Sequence, residues 1–160
     1  MKKLIFVVFA AIILASGVSY AFDSALLDMY DELQQESNKI RVLLKGSKDI
    51  VLVSSMWDST IVTMTQLEAY FSMLGIFNII DVKQMDEKAI DYLIRWLNKI
   101  KATNELNIKS LNTVKTTLER NTELHTAVLK VFYRKLSDKI DAEIEKLMLI
   151  SESMEIPDQG

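Results

Sequence analysis

The sequence predicts an all-α protein, an antiparallel helical bundle of about four long amphipathic helices after a cleaved N-terminal signal peptide. Three observations lead to this prediction. Glycine and proline are scarce, at four and one in 160 residues. Apolar residues recur at alternating intervals of three and four positions, which places them on one face of a helix. The first 21 residues have the organisation of a secretory leader.

The leader combines a basic start, an apolar stretch and a short run of small residues. Two lysines precede the apolar residues 4–15. Ser19 and Ala21 occupy positions −3 and −1 of a cut before Phe22, where signal peptidase accepts small side chains. The stretch is shorter than the roughly 20 apolar residues that cross a bilayer. We therefore expect residues 1–21 to be removed and the protein to be periplasmic or secreted. The alternative is an uncleaved, membrane-tethered first segment.

Composition limits the architecture and the classes of partner. Residues 22–155 suffice for a single helical-bundle domain, and we expect residues 156–160 to form a disordered tail. Cysteine is absent, which excludes disulfides, thiolate metal sites and cysteine nucleophiles. Without the two leader lysines, 17 basic residues face 22 acidic ones, a net charge of −5. Nucleic acid is a poor partner for such a chain, because binding its backbone requires a basic surface. No segment after the leader is apolar enough to span a membrane stably.

The first two predicted helices are each followed by a glycine. The first covers residues 24–45 and ends at Gly46, for which we expect the left-handed conformation of a helix C-terminus. The second covers residues 47–74 and ends at Gly75. Their apolar positions are Leu26, Tyr30, Leu33, Ile40, Leu44, Ile50, Val53, Trp57, Met64, Leu67, Phe71 and Leu74.

The third and fourth predicted helices lack such punctuation. The third starts with Asp86 as its N-terminal cap and reaches about Leu118. The largely polar stretch of residues 103–107 interrupts its apolar face, so we expect a kink or a polar layer of the core there. The fourth runs from near Asn121 to about Glu155, and the sequence leaves open whether it is separate from the third.

Three polar residues occupy positions where the apolar spacing calls for a hydrophobic side chain. They are Ser37, Thr60 and Asn104. Buried polar residues at such positions commonly fix the register of packed helices or their oligomeric state.

The sequence contains few residues and no motifs of the kinds that serve catalysis or metal binding. His125 is the only histidine, and we expect it to be exposed near the start of the fourth helix. Haem held by Met29 and His125 is disfavoured, because chain order predicts that they lie at opposite ends of the bundle. No Glu-x-x-His, Gly-x-Ser-x-Gly or phosphate-binding glycine loop occurs. The sequence therefore predicts no cofactor, no metal and no enzymatic activity, with acidic residues on solvated helix faces.

The segment after Gly75 is too apolar for an ordinary connection between helices. We expect it to be a loop or short helix that covers one end of the bundle, or an exposed patch that docks a partner. The candidate interaction residues are Ile76, Phe77, Ile79, Ile80 and Val82.

Aromatic and methionine residues suggest one further kind of site. Trp57, Met64, Phe71 and Trp96 could line an apolar pocket between the helices, although residues of these types at helical spacing usually fill a core. The leading functional hypothesis is a non-enzymatic interaction, structural or chaperone-like module of the cell envelope, with a protein partner or self-association. The alternatives are a module that binds a small apolar ligand and a tethered, sensor-like bundle.

Overall fold

The prediction of an all-helical bundle is confirmed. A computed structural model of the chain describes residues 24–79, 86–114 and 117–154, with the backbone alone for residues 24, 76–79, 153 and 154. This part of the chain forms four helices and no strand. They are α1 (Ser24–Leu43), α2 (Ile50–Ile79), α3 (Glu87–Asn112) and α4 (Arg120–Met154). The predicted leader and C-terminal tail lie outside the described residues.

The four helices surround one hydrophobic core. Helix α1 contacts α2, α2 contacts α3, α3 contacts α4, and α4 contacts α1. Each helix supplies side chains that are completely removed from solvent, among them Leu33, Leu67, Leu97 and Leu136. Burying a leucine of this kind stabilises the fold by roughly 1.5–3 kcal/mol before the entropy of ordering the chain is subtracted. The apolar spacing of the sequence thus becomes one shared core.

The end of α1 differs from the prediction for Gly46. The helix ends at Leu43, and the backbone of Gly46 does not adopt the left-handed conformation. Gly46 and Ser47 both donate their backbone N–H groups to the carbonyl of Leu43, at 3.2 and 3.0 Å. These bonds complete the helix end with ordinary right-handed turns, so a left-handed residue is not needed there.

Helix α2 continues past the glycine that was predicted to end it. It starts at Ile50 rather than residue 47 and runs through Gly75 to Ile79. An interior glycine lowers helix stability by only about 1 kcal/mol relative to alanine, which neighbouring helical residues can offset. The prediction of a loop or separate short helix directly after Gly75 is therefore wrong.

Helix α3 is capped as predicted but is shorter than expected. The Asp86 side chain accepts a hydrogen bond from the backbone N–H of Ala89 at 2.8 Å. The helix is continuous through residues 103–107 and ends at Asn112. At its end the backbone N–H of Thr113 turns back to the carbonyl groups of the last turn. Helices α3 and α4 are therefore separate elements.

Candidate functional site

His125 lies in the second turn of α4, where it pairs with a buried carboxylate of α1. Its Nδ1 atom is 2.5 Å from Oε1 of Glu36. The side chains are only 15% and 7% exposed, respectively. The predictions of an exposed histidine and of solvated acidic residues are therefore wrong for this pair. The spacing of residues within one helix could not reveal this pair, because Glu36 and His125 lie in different helices, 89 positions apart in the sequence.

Glu36 is held from a second direction by Lys39. The lysine Nζ lies 3.2 Å from Oε2 of Glu36, and its own side chain is largely exposed. Two potential cationic partners thus face one nearly buried carboxylate. Removing either buried partner would leave the other in a poorly solvated position, which is strongly destabilising. The geometry supports a structural role for His125 at the contact between α1 and α4.

The predicted separation of Met29 and His125 is also wrong. Because His125 contacts Glu36, it lies level with the middle of α1. Met29 precedes Glu36 by seven positions, a distance of about 10 Å along a helix axis. The two residues are therefore not at opposite ends of the bundle. Met29 is a buried residue of the core.

The three polar residues predicted at core positions are indeed buried. The hydroxyl of Thr60 lies 2.9 Å from that of Ser37, which links α2 with α1. The Nδ2 atom of Asn104 lies 3.4 Å from the Ser137 hydroxyl, which links α3 with α4. The expectation of a polar core layer within residues 103–107 is confirmed at Asn104.

A wider polar network surrounds Tyr133 in the interior. Its hydroxyl lies 2.9 Å from the Ser59 hydroxyl, and Thr63 and Asn107 also hydrogen-bond with it. Burial raises the pKa of Tyr133, and these hydrogen bonds oppose part of the rise. Sequence analysis missed this network, although small polar residues at three- and four-residue intervals in α2 were a usable signal.

Two amide oxygens remain unpaired within the described part of the chain. Oε1 of Gln66 and Oδ1 of Asn104 are both buried without a hydrogen-bond donor there. The other half of each amide is engaged: Gln66 donates to the Thr103 hydroxyl at 3.1 Å, and Asn104 contacts Ser137. An unpaired buried oxygen costs about 1–3 kcal/mol.

Two tyrosine–glutamate pairs connect the helices towards the end of the bundle where α1 begins. Tyr30 donates to Glu68 at 2.5 Å, and Tyr70 donates to Glu143 at 3.1 Å. Burial, followed by the hydrogen bond with Glu68, raises the pKa of Tyr30 far above its usual value. The first pair ties α2 to its neighbour α1 and the second ties α2 to α4 across the core, which gives these carboxylates a structural role.

The four residues of the predicted apolar pocket are distributed through the packed interior. Met64 and Phe71 are buried, while Trp57 and Trp96 are partly buried against the core. The indole Nε1 of Trp96 donates to the backbone carbonyl of Gln66 at 3.0 Å. The two cavities described below have other linings, so the ligand pocket stays a prediction.

Two half-open cavities lie near the loops that join α1 to α2 and α3 to α4. One has a volume of about 450 Å³ and includes Leu52, Ser55 and Val114 in its lining. The other, of about 530 Å³, includes Val42 and Arg120. Both have mixed polar and apolar walls.

A reciprocal set of hydrogen bonds organises the same end of the bundle. The Asp49 carboxylate accepts from the backbone N–H of Glu119 at 2.8 Å. In return, the Glu119 carboxylate accepts from the Ser47 hydroxyl at 2.9 Å and from the Lys48 backbone N–H at 3.2 Å. The two carboxylates beside the cavities therefore serve to join two loops.

The outward side of α2 is the most distinctive exposed surface. The 30 residues of this helix include two acidic residues, Asp58 and Glu68, and no basic one. Five exposed residues follow one another at intervals of four and three, which puts them on one side of the helix. We call this surface the α2 face, and it consists of Val51, Ser55, Asp58, Val62 and Thr65.

Exposure on the α2 face is substantial for its apolar members. Val51 is 83% exposed and Val62 is 48% exposed, and Ile50 and Ile61 beside them are also exposed. Helix α4 also exposes a row of apolar residues, Leu124, Val128 and Val131, but its other exposed positions carry charges of both signs, such as Arg134 and Asp138. A helix that is apolar on every side is normally covered on every side. Within the described residues, the α2 face is thus an exposed, nearly uncharged surface that none of the other three helices covers.

The predicted interaction patch overlaps the end of the same helix. The backbones of Ile76, Phe77 and Ile79 belong to α2, while Ile80 and Val82 lie outside the described residues. Nothing is described for the side chains of this patch. It stays a prediction.

Similarity to known sites and proteins gives no functional assignment. Within residues 24–79, 86–114 and 117–154, no three acidic, histidine or cysteine side chains are grouped to hold a metal ion. In the same residues, no helix has both the length and the hydropathy for a membrane crossing. No family profile, curated protein or solved structure matches this chain.

Proposed function

We propose that this protein is an exported, non-enzymatic interaction module that binds protein through the α2 face. The observation that carries the proposal is the row of exposed, almost uncharged residues along α2, including Val51 and Val62. Isolated exposed apolar residues are common on protein surfaces. Here two exposed valines share one side of a helix with small polar residues and a single charge, which leaves a side against which another protein can pack.

The proposal includes an antiparallel arrangement of neighbouring helices in the bundle. Between α1 and α2, the pairs Tyr30–Glu68 and Ser37–Thr60 run in opposite chain order. Between α3 and α4, Lys101–Asp141 and Asn104–Ser137 do the same. These pairs support an up-down-up-down arrangement, in which the α2 face is presented along a straight edge of the bundle.

The uses of the titratable groups support a non-enzymatic role. The one histidine is paired with Glu36, and the carboxylates of Asp49 and Glu119 join two loops. A catalytic acid or base must reach a substrate as well as its supporting partner. Neither of the two cavities includes His125 or Glu36 in its lining.

Export is the part of the proposal that rests on the leader. Its basic start, apolar stretch and small residues before Phe22 fit recognition by the secretory machinery. Mass spectrometry of the protein recovered from its own cells tests this point. A first residue of Phe22 supports cleavage and export, whereas an intact Met1 supports the tethered alternative.

Site-specific photocrosslinking in the native cells tests the interaction role. A photoreactive residue replaces Val62 on the α2 face, and a matched control replaces Leu106, which is 66% exposed on α3. We expect a protein adduct from position 62 that is much weaker from position 106. Equal adducts from both positions, or none from position 62, would contradict the proposal.

A further inference from the structure

We infer that the partner of the α2 face is a second copy of this chain, bound through an antiparallel pairing of the two α2 helices. This inference rests on the proposed function, because it names the occupant of the same surface. The face carries one charge, so a strongly charged partner surface would find nothing to complement it. A second copy supplies a surface of the same uncharged character.

One register makes the face complementary to itself. In a two-fold symmetric contact, residue i of one copy meets residue j of the other, and j meets i. If Val51 lies opposite Val62, then Ser55 lies opposite Asp58 in the same antiparallel pairing. The two valines bury each other, and the serine hydroxyl can donate to the one carboxylate on the face. No like charges are placed directly opposite each other.

The charges beyond the face agree with this register. Lys45 and Lys48 are exposed just before α2, and Glu68 is exposed further along it. Antiparallel pairing brings the Glu68 carboxylate of each copy towards the lysines of the other. A parallel pairing would place like charges together at both ends. The charge pattern therefore favours the antiparallel dimer.

The size of the face predicts a weak dimer. The α2 face, residues 51–65, spans about 22 Å of helix, and a helix is about 10 Å wide. Two such faces bury roughly 450 Å² together, well below the 1,200–2,000 Å² of stable interfaces. We therefore expect a reversible, concentration-dependent association.

Analytical ultracentrifugation of the exported protein, purified from its cells, tests the dimer. Concentrations from about 1 µM to about 1 mM cover the range of weak association. We expect V51K and V62K each to weaken dimerisation at least ~10-fold, which corresponds to about 1.4 kcal/mol. The matched control L106K places the same charge on an exposed apolar position of α3, and we expect a change of less than about twofold.

A mixing experiment tests the register. V51K and V62E each weaken self-association, but in a mixed dimer the new lysine of one chain lies opposite the new glutamate of the other. We expect the mixture to form heterodimers at least ~10-fold more tightly than either variant forms homodimers. A double variant with both valines changed to serine keeps the dimer itself testable if a charged variant fails to fold, as judged by circular dichroism. That variant should also lose the dimer.

Several outcomes would overturn the inference. They are a monomer at every concentration, a dimer that V51K and V62K leave unchanged, and a mixture that binds no better than the separate variants. A monomer whose position 62 still crosslinks to another protein in cells would remove this inference and leave the proposed function standing. A monomer with no such crosslink would remove both.

Discussion

At the level of single residues, the interior contains polar groups that are incompletely satisfied. Asn104 is fully buried, but only its Nδ2 atom has a partner, the Ser137 hydroxyl at a long 3.4 Å. Ser137 also donates to the carbonyl of Tyr133, so it keeps a partner without Asn104. The amide therefore contributes little stability in return for the cost of burying its oxygen.

Replacing Asn104 with leucine should leave the bundle as stable as before or more stable. Leucine has a similar branched shape and removes the unpaired oxygen, so we expect a gain of 0 to about 1 kcal/mol in the free energy of unfolding. Urea denaturation followed by circular dichroism measures this change. The control N104D buries a carboxylate and should lose more than about 2 kcal/mol at neutral pH. A comparable loss for N104L would mean that Oδ1 has a favourable partner.

At the level of elements, the helix ends depend on local bonding more than on glycine. Gly46 forms part of the turn after α1 without the left-handed backbone, and α2 passes through Gly75. The loops are instead held by hydrogen bonds from the Glu119 backbone N–H to the Asp49 carboxylate and from the Lys48 backbone N–H to the Glu119 carboxylate. Asp49 and Glu119 lie 70 positions apart, beyond the reach of a local pattern.

Replacing Gly46 with alanine should stabilise the protein slightly. An added Cβ meets no atom within 4 Å, and the backbone is in a region that alanine adopts. Alanine restricts the unfolded chain more than glycine, so we expect a gain of about 0.4–1 kcal/mol in thermal or urea unfolding. G46P should destabilise the fold instead, because proline lacks the N–H that bonds to Leu43. A loss of more than about 1 kcal/mol in G46A would show that the turn requires glycine.

At the level of the whole molecule, stability depends on tyrosines that must stay neutral in the folded state. The pKa values of Tyr30 and Tyr133 are raised, first of all by burial. In the unfolded chain a tyrosine loses its proton near the usual value of 10.0. Above that pH the unfolded state binds fewer protons than the folded state. Stability is therefore fully present below about pH 10 and falls as the pH rises further.

Urea unfolding at about pH 8, 10 and 11 should show this loss. The pKa of Lys101 is also raised, mainly by its hydrogen bond with Asp141, so its deprotonation likewise lowers stability at high pH. Its ammonium group is exposed to solvent. The variant Y133F removes one titrating group, so we expect its stability to fall less steeply between pH 10 and 11 than that of the wild type. Identical slopes would exclude Tyr133 as a cause of alkaline unfolding.

The sequence by itself determined the helical class, the number of helices and most of the core. Apolar spacing identified Leu33 and Leu67 as core residues, and the residue type of Asp86 identified it as a cap, because these features depend on neighbours within a few positions. It also located Asn104 in the core from the break in the apolar pattern.

Only the tertiary structure decided which polar residues meet across helices. The pairing of His125 with Glu36 and the contact of Tyr133 with Ser59 join residues 89 and 74 positions apart. Spacing within a helix sets the side on which a residue lies but not the residue it faces, since that depends on how helices pack and at what height. The α2 face likewise emerged only when burial was known. The apolar spacing placed Ile50 on the covered side, where it is 52% exposed, and did not single out Val51 or Val62.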